Sequence, residues 1–182
     1  MIVKDILTGD YRLQISNHLV SRTFPWFCEN RTISINTSNS TIASVPFFSH
    51  LFVDDNKIIS PYNGILDKLK LILKEKFKVD SEFKRVEAQL LFSSPHYKEE
   101  QIKIPNYFAN KGNVIIYQVH KSDSKISIFN ETYSDNKTLE LTVGKHLSLS
   151  DNEATLLKGD QLWFHKNPFN SVKSTTIEFY YE

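Results

Sequence analysis

At 182 residues, with 40% hydrophobic residues, thirteen Phe, eight Tyr and a formal net charge of +1, the chain suits one packed domain rich in β-formers rather than a disordered one. Its small charge argues against nucleic acid, because such binding needs a surplus of cations to neutralise phosphates. The longest apolar runs, such as Ile65 to Leu73, are broken by Asp67, Lys68 and Lys70 and are too short to cross a membrane. A lone Cys28 rules out an internal disulfide or a thiolate metal cluster. The opening MIVKDILTGD lacks the charged, apolar and small-residue order of a secretory signal, so an intracellular location is expected.

The first segment, VKDILTGDYRLQISNHLVSR, carries Leu13, Ile15, Leu19 and Val20 with Thr8 and Asp10 as caps, which predicts a short amphipathic helix. TFPWFCEN is an aromatic cluster around a proline, and RTISINTSNST reads as strand and loop. VPFFSHLFVDDNKIISPYN reads as a strand entering a turn. A second helix is expected to start at Ser60 and Pro61, since Ser caps orphan amides and Pro suits the first helical position. Ile65, Leu69, Ile72, Leu73 and Phe77 follow at helical spacing, with lysines on the wet face and an end near Val79. Beyond it KRVEAQLLF, NVIIYQV, ISIFNE, LELTV, HLSLS, EATLL, QLWFH and TTIEFYYE are short β-rich runs between polar turns. Helices first and antiparallel strands afterwards predict an α+β domain with a barrel or two-sheet roll.

Four stretches carry a more specific signal. TFPWF, with FFSHLFVDDNKIISPY and ILDKLKLIL, is followed by KRVEAQLLF, then NKGNVIIYQVHKSDSKISIFNE, then KHLSLSDNEATLLKGDQLWFHKNPFNSVKSTTIEFYYE. In order and spacing they resemble the small iron(II)- and 2-oxoglutarate-dependent oxygenases of bacteria and bacterial viruses, which are prolyl-hydroxylase-like. The resemblance spans residues 1–182 as one domain, with 1–84 as a helix-and-strand half and 85–182 as the β core. It implies a double-stranded β-helix of the jelly-roll or cupin kind, with the N-terminal helices packed on one sheet. It further implies iron held by a His-x-Asp pair and a distal His, and an arginine on the last strand that pairs with the cosubstrate.

Carried onto this chain, those positions hold other residues. The His-x-Asp pair falls at or near Gln101 and Lys103, and Phe-Asp-Gly-x-x-x-His falls on Leu157, Lys158, Gly159 and Trp163. The arginine falls on Ser174. An ammonium offers a metal no lone pair and an indole has only a donor. The resemblance therefore implies an extinct enzyme with no catalytic residue, no iron and no 2-oxoglutarate. His165, two residues after Trp163, shares its strand face, while His96 and Glu99 in PHYKEEQ suggest a relocated ligand pair. Surface histidines and acids of this kind are common, so both read first as ordinary polar positions. Cys28 reads as a small packed hydrophobe.

Alternation places Glu178 on the face of Ser174, and Glu87 on the face of Arg85 and Gln89. The expectation is a plugged pocket in which Lys103 or Lys158 pairs with Glu87 or Glu178 while Trp163 packs across. Function then shifts to a structural or interaction module with protein partners, through self-assembly or as a component of a viral particle. The competing expectations are a working hydroxylase with displaced ligands and a metal-free ligand-binding module.

Overall fold

The computed structural model describes residues 1–33, 43–93, 112–132, 143–159, 161–165, 168 and 170–182. Eleven strands, two α-helices and one 3₁₀ turn appear among them. In chain order they are β1 (Ile2–Val3), α1 (Gly9–Val20), β2 (Phe27–Ile33), β3 (Ala43–Asp54) and β4 (Lys57–Ile58). The 3₁₀ turn (Asn63–Leu66), α2 (Asp67–Phe77), β5 (Arg85–Phe92), β6 (Asn113–Gln118) and β7 (Ile126–Thr132) come next. The last four are β8 (Val143–Leu147), β9 (Glu153–Leu157), β10 (Gln161–His165) and β11 (Lys173–Tyr181).

The large sheet runs β1-β9-β6-β11-β5-β3-β2, with β4 on β3, and the small sheet runs β10-β7-β8. Every described pairing is antiparallel. The last strand, β11, sits mid-sheet between β5 and β6, so successive residues of β11 feed two different cores. Ile177, Phe179 and Tyr181 meet Ile15, Leu19, Leu69, Leu73 and Phe77 of the helices. Tyr180 faces the other way, joining Val114, Ile116 and Leu157 against Ile126 and Ile128 of the small sheet. Two layers of burial follow from one period-two pattern. The expected α+β double-stranded β-helix with helices on one sheet is the observed architecture.

Local differences have physical reasons. In α1 only Ile15 and Leu19 are buried, and Leu13 and Val20 face outward, so half of the expected apolar set covers the sheet. Ser60 does not open an α-helix. Its hydroxyl accepts from the Tyr62 amide at 3.1 Å and its carbonyl from the Asn63 amide at 3.1 Å, closing a turn that passes through the 3₁₀ segment before α2 begins at Asp67. The two-residue β1 was absent from the sequence reading. It is held beside the β9 edge by Asn152, which accepts from the Leu7 amide at 2.8 Å and donates to the Leu7 carbonyl at 2.9 Å.

Candidate functional site: the barrel interior

The face of the large sheet turned toward the small one is polar at its centre. Glu178 lies opposite Glu87 on β5, and Thr176 lies opposite Gln89 on β5 and Gln118 on β6. With Ser174 these six side chains are at most 3% exposed. Burying such groups is costly unless each finds partners, and most of them find partners in one another. Gln89 donates through Nε2 to Glu178 Oε2 at 2.9 Å, and the Tyr180 hydroxyl donates to the same oxygen at 2.5 Å. Glu87 Oε2 accepts two bonds from Arg85, at 3.2 Å from Nε and 2.9 Å from Nη2. Arg85 also reaches Asp54 at 3.2 Å on the sheet surface.

Around Ser174 the network crosses between sheets. Its hydroxyl accepts from Gln118 Nε2 at 3.1 Å and lies 2.7 Å from Ser124 Oγ. Ser124 in turn lies 3.2 Å from His165 Nε2 on β10. His165 pairs with Ile126 across the small sheet and is buried on the face it shares with Trp163. Trp163 is half-buried and packs on the cluster of Val114, Ile126, Ile128 and Tyr180. Shortly before β11, the Asp123 carboxylate accepts the amides of Asn170 at 2.6 Å and Ser171 at 3.0 Å. Burial is the largest single influence and pushes the Asp123 carboxyl up, but the hydrogen bonds from Asn170 and Ser171 together outweigh it and hold the pKa at about 2.

The sequence-derived positions are distributed as follows. Ser174, Trp163, Glu87 and Glu178 all contribute to the barrel interior. Lys158 does not: it stands exposed in the turn between β9 and β10, one residue past the end of β9. Lys158 therefore does not pair with Glu87, whose described partner is Arg85, two residues along the same strand face. Gln101, Lys103, His96 and Glu99 lie outside the described residues. At Gly159 close approach of the backbone is the constraint. A Cβ there would meet the Gly112 carbonyl oxygen at 2.4 Å. Cys28 is exposed rather than packed. Sequence reasoning missed Ser124 and Gln118, because a turn serine and a strand glutamine carry no ligand or catalytic spacing.

At the Ser174 position the described residues do not fit 2-oxoglutarate. Among them no group of three His, Cys, Asp or Glu side chains is placed to hold a metal. A serine hydroxyl also cannot supply the planar bidentate charge that a carboxylate cosubstrate needs at the Ser174 position, and the hydroxyl of Ser174 is already engaged by Gln118 and Ser124.

No family model and no curated sequence matches the chain. Solved structures do. A 2OG-Fe(II) oxygenase family oxidoreductase from Burkholderia pseudomallei superposes with a TM-score of 0.59 over 99% of this chain and 83% of its own, at 7% identity. A Pseudomonas putida prolyl-4-hydroxylase gives 0.51 over 99% and 90%, at 9% identity. The non-heme alpha-ketoglutarate-dependent epimerase of nogalamycin biosynthesis gives 0.55 over 99% and 77%, at 9% identity. The chain therefore has the fold of the 2OG-Fe(II) oxygenases. At such identities the likeness concerns the backbone alone, and function rests on the side chains.

Proposed function

We propose that this protein uses the oxygenase fold without the oxygenase chemistry, as a structural or interaction module whose partners are proteins. The observation that supports this most directly is the network at Ser174. Where the resemblance calls for an arginine reaching a dicarboxylate, Ser174, Ser124 and Gln118 bond to one another within the barrel wall. Around them Arg85 satisfies one oxygen of Glu87, and Gln89 with Tyr180 satisfies one oxygen of Glu178. Side chains that bond to one another across the wall in this way favour rigidity over ligand exchange at the Ser174 position. Assembly into a larger particle, viral or otherwise, is one form that such a role takes.

The decisive experiment is titration of the purified chain with ferrous iron under anaerobic conditions, followed by assay of succinate release from 2-oxoglutarate. The expected result is no stoichiometric iron binding and no succinate above the protein-free rate. Iron-dependent succinate release would overturn the proposal in favour of a hydroxylase with displaced ligands, with His165 the first residue to substitute.

A further inference from the structure

Away from the barrel, a groove of about 410 Å³ runs between α2 and the β3–β4 hairpin, a size typical of small-molecule pockets. Lys70 and Lys74, one turn apart on α2, both line it with side chains only 16% and 20% exposed. Their acidic neighbours have the opposite placement: the Asp67 and Glu82 side chains are 66% and 82% exposed. Two cations are thus drawn into the groove while their counter-charges stay on its wet rim, where ion pairs are weak. Lys70 Nζ donates to Asn63 Oδ1 at 2.5 Å and lies 3.7 Å from Asp67. Burial is the largest influence on this ammonium and lowers its pKa, against a smaller upward pull from Asp67. The walls are apolar: Val53 and Phe83 are buried at the base, whereas Ile58 and Leu71 stand 68% and 69% exposed at the lip.

We infer that this groove binds a small amphipathic carboxylate, its head on Lys70 and Lys74 and its tail between Ile58, Leu71, Val53 and Phe83. The pattern requires both halves of such a ligand. An apolar molecule would cover the lip and leave the ammonium groups undersolvated, which is unfavourable in a low-dielectric groove. A multiply charged anion would meet Asp67 and Glu82, which bring the local sum with the two lysines to zero. A monoanion displaces Glu82 from Lys74, where the bond of 2.5 Å is held from a side chain 82% exposed, and gives Lys70 a carboxylate closer than that of Asp67 at 3.7 Å. Tail burial then adds the apolar contribution of the exposed lip.

The test is calorimetric titration of the full chain with octanoate, with octanol and inorganic phosphate as comparators, and amide shifts of Leu71 and Phe83 followed by NMR. Octanoate is expected to bind saturably and move both amides, while octanol and phosphate bind more weakly. Lys70→Met and Leu71→Asp are each expected to weaken octanoate about tenfold. Leu71 is exposed, so its variant folds even if Lys70→Met disturbs α2. Absence of saturable octanoate binding, octanol binding as tightly, or unchanged affinity in the Leu71 variant would each overturn the assignment.

Discussion

Glu87 and Glu178 face each other across neighbouring strands, a placement in which two charges repel. The cation that offsets Glu87 is Arg85, and the pair is enclosed, with side chains 14% and 2% exposed. Removing one member of such a pair costs far more than the pair contributes, because the other charge stays buried. Arg85→Met is therefore expected to destabilise the fold by roughly 3 kcal/mol. Adding Glu87→Gln should restore most of that loss, since the remaining amide carries no charge to strand. Urea unfolding of the single and double variants measures both effects, and a double variant no more stable than Arg85→Met would refute the pairing argument.

Alternation along two strands was enough to foresee that Glu87, Glu178 and Ser174 look inward, because period two holds wherever a strand is regular. It did not identify their partners. Residues i and i+2 share a face, so Arg85 and Tyr180 were available to Glu87 and Glu178 from their own strands. Choosing among inward cations requires chain direction across turns, and the turn after β9 leaves Lys158 outside. Ser124 reaches Ser174 from a separate connection fifty positions away in sequence, a separation that no periodicity spans.

At the scale of elements, α2 shows how a local rule and a tertiary demand divide a helix. Leu69, Leu73 and Phe77 lie on the buried face as their spacing predicts, yet the start is displaced from Pro61 to Asp67 because Ser60 is occupied elsewhere. Its hydroxyl lies 2.7 Å from His50 Nε2, and His50 Nδ1 lies 2.7 Å from the Pro25 carbonyl. A carbonyl only accepts, so Nδ1 carries the proton and Nε2 receives that of Ser60. The serine thus ties the turn to β3 instead of capping a helix. The far end follows helix-termination geometry: the Val79 amide bonds the Lys74 carbonyl at 2.9 Å and the Lys78 amide bonds the Glu75 carbonyl at 3.4 Å.

That termination places Lys78 at φ 55°, in the left-handed region that favours glycine. Lys78→Gly removes the Cβ strain there, at some entropic cost from the unfolded chain. The expected net gain is about 1 kcal/mol, seen as a higher midpoint in thermal unfolding with an unchanged far-ultraviolet spectrum. Lys78→Val, which puts a β-branched side chain at the same φ, should lose stability. If both variants melt with the parent protein, the termination carries no strain.

Across the whole molecule, α1 is joined to the β core partly through a buried histidine. His120, two residues past the end of β6, lies 2.8 Å from Ser16 Oγ of α1, and its Nδ1 is buried without a hydrogen-bond partner. Burial first, then the charges of Lys173 and Arg12, lower its pKa to about 4. His50 is shifted in the same direction, chiefly by burial. An unfolded histidine takes up its proton near pH 6.5, so between pH 6.5 and about 4 the unfolded state binds more protons than the folded one. Stability is then fully present above pH 6.5 and falls as the pH drops through that window. Asp123 extends the loss: its carboxylate, held at about 2 against an ordinary 3.8, stabilises the fold above pH 3.8 and ceases to do so as the pH falls toward 2. Urea midpoints at pH 7.5, 5.5 and 4.5 should therefore decline for the parent protein. They should decline less for His120→Gln, which keeps a polar atom near Ser16 but does not titrate. Parallel declines in the two proteins would show that the joint between α1 and β6 contributes nothing to acid sensitivity, leaving the protons to be taken up elsewhere.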